Sequence, residues 1–387
     1  MHVLGELSIE EFLRDYWHKK PVLIRNAWAD FEPLLSSQEL AGLSLEQEIE
    51  SRIVEEEGKD GPWSIRKGPF TEDDYLELPE NKWTLLIQGV DQWIPEAADL
   101  LEYFRFIPGW RIDDLMISYA TDGGSVGPHY DQYDVFLLQA EGQREWRTGQ
   151  MCGEDTPFMK GPKIRILENF EESDRWVLNP GDMLYLPPAL AHWGIARGEC
   201  QTYSIGFRAP ALTELAPLVF DDVMDNASDD QRYADPDLPQ QSSTGLIDTA
   251  AAQRLRKLLT DAISDDERLQ SIIGRLMTDP KYAEHVPEAV ALEEDGRTLL
   301  AQSDNWKRAE FSRFAYSVHE DHCRFYAMGQ EWVLPAGDQP LLSLLSDNRS
   351  YEAQVIISSI HSEDAEKMLK SLIEQHFIYD PEVEYGD

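Results

Sequence analysis

The sequence predicts an α+β chain of several units: a barrel of short antiparallel strands over residues 1–210, a helical stretch over 211–272, and a small mixed unit over 273–387. Three observations carry this. Between Asp114 and Arg208, runs rich in Val, Ile, Leu, Tyr and Phe are punctuated by Gly and Pro, the pattern of a double-stranded β-helix (a jelly roll). From Leu212 the apolar residues fall at helical spacing instead. Beyond Ser312, strand-like runs return around a glycine and are followed by helix-like ones.

In chain order, Asp114-Leu115-Met116-Ile117-Ser118 reads as a strand in which Asp114 and Met116 share a face. Gly123-Gly124-Ser125-Val126-Gly127-Pro128 is a turn-rich lead-in. His129-Tyr130-Asp131 then stands at the head of the apolar, β-prone run Gln132 to Gln139, and Gly142 to Arg147 begins a new strand after a short turn. Asn179-Pro180-Gly181-Asp182 is a turn, Met183 to Leu186 a short strand, and Pro187-Pro188 a break. His192-Trp193-Gly194 follows, the last strand lies near Tyr203 to Arg208, and the barrel is expected to end near Ala209-Pro210. Leu212 to Phe220 opens a helical region, a polar, Pro-bearing stretch from Asp235 to Thr244 interrupts it, and Ala250 to Ile263 resumes it. In the last third, Ile272 to Met277 and Glu288 to Ala291 read as helical and Ser312 to Val318 as a strand. Arg324 to Met328 and Glu331 to Leu334 form a hairpin around Gly329, and Gln339 to Leu345 and Glu363 to His376 are helices.

The chemistry concentrates at His129-Tyr130-Asp131. Side chains two apart in a strand point the same way, so His129 and Asp131 can grip one ion while Tyr130 faces away. A lone His-x-Asp is ordinarily a surface histidine beside a solvated acid. The glycine-rich turn before it and the buried strand after it favour a site. A jelly roll directs inward-facing residues of distant strands into one pocket, which brings in His192. Two imidazoles and one carboxylate on one face of an octahedron leave three positions open, the arrangement of non-heme Fe(II) oxygenases. Tyr133 shares the face of His129 and Asp131. With Asp114 and Met116 it offers a carboxylate for a guanidinium and an aromatic and a thioether to sandwich its plane, the needs of an arginine pocket. The plainer alternative makes Tyr133 and Met116 core residues and pairs Asp114 with Arg111. Ser204 can add a hydrogen bond.

The runs HYDQYDVFLLQ, GQREWR, NPGDMLYLPP and LAHWGIA, together with FLRDYWHKKPVLIRNAW (Phe12 to Trp28) and RIDDLMIS (Arg111 to Ser118), resemble the JmjC-type 2-oxoglutarate oxygenases. Within them the chain is most similar to the bacterial ribosomal oxygenases, which hydroxylate an arginine of a large-subunit ribosomal protein. The likeness is strong over the first half and looser beyond. It implies a cupin-type JmjC barrel with His129, Asp131 and His192 as iron ligands, and Fe(II), 2-oxoglutarate and O2 as cofactor and co-substrates, with succinate and CO2 as products. It implies Arg144 as anchor for the far carboxylate of 2-oxoglutarate, with Arg147 and Arg165 as nearby alternatives; a guanidinium offers a bidentate fork of fixed charge. It also implies substrate contacts at Asp114, Met116 and Tyr133, helices that pair two subunits, and a winged-helix-like C-terminal domain. One departure stands out. Where relatives place a hydroxyl for the same carboxylate, this chain has Ala120; Ser118, Thr121, Tyr203 and Ser204 are the candidates to replace it.

The formal net charge of −39, from 34 basic and 73 acidic residues, argues against contact with DNA or RNA phosphate, which requires basic side chains. It suits a basic protein partner such as a ribosomal protein, though solubility or a salty cytoplasm would also account for it. No signal segment or membrane span is read, and the three cysteines (Cys152, Cys200, Cys323) suit a reducing compartment, so a cytoplasmic enzyme is expected. His319-Glu320-Asp321-His322 lacks a third ligand nearby in sequence and reads as a solvated turn, with His361 and His376 as ordinary histidines. Walker, dinucleotide-binding and nucleophile-elbow motifs are missing. The alternatives are a JmjC histidine hydroxylase or lysine demethylase, a small-molecule metal-dependent cupin enzyme, and a non-enzymatic binding protein with a relic barrel.

Overall fold

The computed structural model describes residues 3–58 and 61–383. Nine strands form one wrapped antiparallel sheet: β1 (Val22–Ile24), β2 (Ser51–Gly58), β3 (Gly61–Lys67), β4 (Trp83–Ile87), β5 (Ile112–Ala120), β6 (Val135–Met151), β7 (Asp174–Leu178), β8 (Met183–Leu186) and β9 (Leu190–Phe207). Their order is β1-β8-β6-β9-β5-β4-β2-β3, with β7 also on β6. Helices α1 (Ile9–Asp15), α2 (Ser37–Leu43), α3 (Glu72–Leu76) and α4 (Pro95–Leu101) pack around it. The first three begin on capping boxes (Ser8 with Glu11, Ser36 with Glu39, Thr71 with Asp74), so their first free amides are satisfied locally.

Alternation along β6 explains the layers. Phe136 and Leu138 enter the larger core with Phe12, Phe104, Tyr185 and Phe207. Val135 and Leu137 point the other way, into the barrel with Trp146, Leu184 and Leu186. The Phe12 ring meets Tyr185 edge-on at 5.0 Å, which fixes α1 to the outside of the sheet.

Two corrections concern the strands. The expected turn between Gln139 and Gly142 is a bulge: β6 runs unbroken and stays paired with β9, its register shifting between Gln139 and Gln143. Gly142 makes this possible, because it has φ +62° and a Cβ there would lie 2.0 Å from the Glu199 carbonyl oxygen. His192 and the Tyr203 run, expected as separate segments, likewise belong to the single strand β9.

Beyond the barrel come α5 (Leu212–Asn226), α6 (Thr249–Ala262), α7 (Asp266–Thr278) and α8 (Gly296–Leu300). Helix α7 runs across the boundary expected at 272/273. Glu288 to Ala291 is not helical: the stretch forms no regular element and is tied instead to Glu374, whose carbonyl accepts from Val290 N. Two small sheets follow. The first joins β10 (Asn305–Arg308), β14 (Ser350–Glu352) and β15 (Ile378–Tyr379); the second is the meander β11 (Phe314–Val318), β12 (His322–Ala327) and β13 (Gln330–Pro335). Gly329, at φ +75°, makes the β12–β13 turn as expected. Helices α9 (Gln339–Asp347), α10 (Ala353–Ser358) and α11 (Glu363–Glu374) complete a second core around Phe325, Leu342 and Leu369. Among the described residues no helix is long and apolar enough to cross a membrane.

Candidate active site

His129 is not inside a regular strand. It forms an isolated antiparallel bridge to His192, and each backbone amide donates to the other's carbonyl, at 3.0 and 2.8 Å. Ala189 N donates to the Asp131 carbonyl at 2.7 Å, so the triplet is tied to the start of β9 at both ends. The sequence positions 129 and 192 thus become cross-strand neighbours, with ring centroids 4.2 Å apart. Tyr130 points elsewhere, its ring stacked on Phe158.

One ligand-type atom from each of His129, Asp131 and His192 lies within 4.8 Å of the others. Asp131 Oδ2 is 4.0 Å from His129 Nε2 and 3.6 Å from His192 Nε2. The remaining ring nitrogens face carbonyls: His129 Nδ1 meets Gly127 O at 2.8 Å and His192 Nδ1 meets Leu190 O at 3.0 Å. A carbonyl can only accept, so Nδ1 carries the hydrogen in both rings and the two Nε2 lone pairs face Asp131. Burial, then the neighbouring His129, pushes His192 down to about 4, which keeps the imidazole neutral and able to coordinate. The glycine-rich lead-in sets this geometry. Gly127 has φ +81° and a Cβ there would be 2.4 Å from Ile166, while its amide donates to Ser125 Oγ at 3.0 Å. On the other side Gly194 leaves room for Trp146, whose ring would lie 2.7 Å from a Cβ at that position.

A cavity of about 820 Å³ opens over these residues. Arg144 lies on its wall, 5 % exposed, and no carboxylate among the described residues forms an ion pair with it. Its guanidinium donates to Ser118 Oγ at 3.2 Å and Thr202 Oγ1 at 3.4 Å, and its Nε is buried without a partner. A buried cation lacking a counter-charge is costly unless an anion is meant to join it. The donor set and this orphaned guanidinium therefore fit a divalent metal and a carboxylate-bearing co-substrate. Arg147 is engaged at the surface with Glu145 and Glu172, and Arg165 stacks over Phe158.

Of the four hydroxyls weighed against Ala120, Ser118 is the one beside Arg144. Tyr203 faces outward, its oxygen accepting from Leu34 N, and Thr121 is held at Trp83. Ser204 lines the cavity elsewhere. Thr202 was missed, although it shares a strand face with Ser204 and was legible by that parity.

At the other end of the cavity sit Asp114, Met116, Tyr133 and Ser204. Asp114 is buried and accepts from Gln88 Nε2 at 2.6 Å and Lys281 Nζ at 3.0 Å; Lys281 also reaches Asp113 at 3.1 Å. Burial, then the Asp113 carboxylate, pushes Asp114 above the usual carboxylate range, against the pull of Lys281. The alternative partner Arg111 instead turns to Asp134 and the Arg208 carbonyl. Gln88 and Lys281 carry no local sequence signal, since they reach the cavity from β4's end and from the loop after α7.

Comparison with known proteins agrees with this arrangement. Residues 99–215 match the JmjC domain, and residues 258–379 match the ROXA-like winged helix. The probable ribosomal oxygenase of Haemophilus influenzae is 35% identical over 379 residues, covering 89% of this chain and 87% of that protein. The ribosomal protein uL16 3-hydroxylase of Escherichia coli is 37% identical over 276 residues, covering 71% of this chain and 73% of that protein. The Escherichia coli ribosomal oxygenase YcfD, solved with cobalt and 2-oxoglutarate, superposes with a TM-score of 0.80 at 31% identity, covering 97% of this chain and 98% of that one. The chain belongs to the ribosomal oxygenases, a family that joins a JmjC barrel to a C-terminal winged helix.

Proposed function

We propose that this 2-oxoglutarate-dependent oxygenase hydroxylates an arginine side chain of a basic large-subunit ribosomal protein, the counterpart of the uL16 on which the Escherichia coli relative is named as acting. The observation that carries this reading is the convergence of His129, Asp131 and His192 in one cavity with a buried, uncompensated Arg144. Bound ferrous iron, with 2-oxoglutarate and O2, supplies the oxidising power to replace an unactivated C–H by C–OH, releasing succinate and CO2.

The chain's own residues position and shield. The Nδ1–H of each histidine is held by a backbone carbonyl, so neither ring can rotate its Nε2 away from Asp131 without losing a hydrogen bond. Arg144, steadied by Ser118 and Thr202, presents its fork to the far carboxylate of the co-substrate. Trp146 and Leu137 give that end of the cavity an apolar wall. Asp114 receives the substrate guanidinium, with Tyr133 and Met116 against its plane and Ser204 as a further hydrogen-bond partner. A carboxylate at 114 favours a guanidinium over a neutral imidazole as the reacting residue's head group. The net charge of −39 supports a basic protein partner.

Incubating the enzyme with ribosomal proteins, iron and 2-oxoglutarate is expected to add a single oxygen to one arginine; mass gain on a histidine or loss of a lysine methyl would overturn the assignment. Asp114→Ala is expected to lower kcat/KM for the protein substrate about 10²-fold, as for losing hydrogen bonds made to a charged group. Substrate-independent succinate formation should fall far less, and equal losses would make Asp114 merely structural.

The helices after the barrel are further read as a dimerisation region. No side chain of α5 or α6 is buried, and Phe220, Met224, Leu255 and Leu259 are exposed. Apolar faces of this extent call for a partner, and a second copy is the one the family resemblance implies. Sedimentation at micromolar concentration is expected to report a dimer, and Phe220→Asp with Met224→Asp a monomer; a monomeric parent chain would remove this role.

A further inference from the structure

A second group of ligand-type side chains meets where α7 packs against the β11–β12 turn. His319-Glu320-Asp321-His322 lacks a third ligand in sequence, but the fold supplies one: Glu267, in the first turn of α7. One ligand atom each from Glu267, His319 and His322 lies within 4.8 Å of the others, as in the barrel triad. His319 Nδ1 is 3.8 Å from Glu267 Oε2, and His322 Nε2 is 3.1 Å from Glu267 Oε1.

The surrounding bonds are those of metal-binding histidines. His322 Nδ1 donates to the Asp321 carboxylate at 2.7 Å and Nε2 meets Glu267 Oε1 at 3.1 Å, so a metal here would take the place of the proton between Nε2 and Glu267 while Asp321 keeps the ring oriented. His319 Nε2 is held by the Ser317 hydroxyl at 3.1 Å, leaving Nδ1 for the same point. Arg324 bonds Glu267 through Oε1 and holds Glu331 with its other arm, so Oε2 is not taken by it. The three side chains are 12, 20 and 38 % exposed (His319, His322, Glu267), so solvent reaches the point where they converge. The guanidinium beside this cluster, Arg324, is already taken up by Glu267 and Glu331 and is not free to anchor a co-substrate, which separates it from the barrel site.

We propose that His319, His322 and Glu267 form a zinc site that clamps α7 to the β11–β12 turn. Two imidazoles, one carboxylate and a water in the fourth position make a donor set Zn(II) accepts, since it has no geometric preference of its own and binds N and O donors alike. Mg(II) and Ca(II) require cages of oxygen and do not suit two imidazoles. Asp321 and Ser317 orient the rings and raise their basicity. The strongly acidic chain raises the local cation concentration.

The test uses the full chain carrying Asp131→Ala and His129→Ala, in which the barrel triad is dismantled. After metal stripping and equilibration with micromolar Zn(II), elemental analysis is expected to find one zinc per chain, and Zn(II) to raise the unfolding temperature. Adding His322→Ala or the milder Glu267→Gln should abolish both the bound zinc and the shift. The single variant His322→Ala, tested with the barrel triad intact, should keep its succinate formation, which shows that it folds. Absence of zinc in the parent variant, or zinc retained after both substitutions, overturns the site.

Discussion

Replacing His129 or Asp131 with Ala is expected to lower substrate-coupled succinate formation by about 10³-fold or more, matching the several kcal/mol that metal coordination contributes to such reactions. His129 and His192 are paired through their backbones, so removing one side chain leaves the position of the other intact. Folding should therefore survive, and the loss should appear as missing metal and missing turnover, not as aggregation. Iron content and succinate release, measured on the same preparation, check this. Near-parental turnover in either variant would remove the assignment of these residues as ligands.

Arg144→Met is expected to raise the 2-oxoglutarate concentration needed for half-maximal rate about 10²-fold, as for the loss of one partner of a buried charge pair. Its stability effect should have an uncommon sign. In the ligand-free chain Arg144 is a buried cation with an unpartnered Nε, two hydroxyl contacts and the Trp146 ring centroid 5.6 Å from its guanidinium carbon, with no carboxylate among the described residues to balance it. Removing it relieves an uncompensated charge, so the ligand-free variant should unfold at the same temperature as the parent or higher. Addition of 2-oxoglutarate should then stabilise the parent and not the variant, which a thermal shift measurement reads directly. A variant that melts well below the parent, with its 2-oxoglutarate requirement unchanged, would make Arg144 a structural residue.

Much of the barrel was legible because its turns are written in glycine and proline. Gly127 and Gly181 take positive φ at barrel turns read from the sequence, as Gly329 does in the C-terminal unit. Strand parity also worked over short distances, bringing Asp114 and Met116 to one cavity with Tyr133. It fails across the bulge in β6. Counting by twos from Leu137 puts Arg144 on the face of Phe136 and Leu138, in the outer core. The register shift at Gly142 moves it to the face of Val135 and Leu137, where the cavity is. Only the family resemblance, not the period of the strand, pointed to Arg144. The turn expected before Gly142 and the failure of parity to reach Arg144 therefore have one cause, the bulge. Glu288 to Ala291 failed for a simpler reason: so short a run cannot nucleate a helix without a face to bury. Lys281, Gln88 and Glu267 were unreadable because long-range packing alone brings them to their sites.

Lys281 has a consequence for discrimination between basic side chains. On the proposed role of Asp114, an incoming residue finds that carboxylate already neutralised by an ammonium from the same polypeptide, 3.0 Å away. Binding is then an exchange of one cation for another, and charge by itself yields little net gain. An intruding lysine offers nothing the resident one lacks. A guanidinium brings two parallel N–H groups and a flat surface for Tyr133 and Met116, while the evicted ammonium can retire onto Asp113.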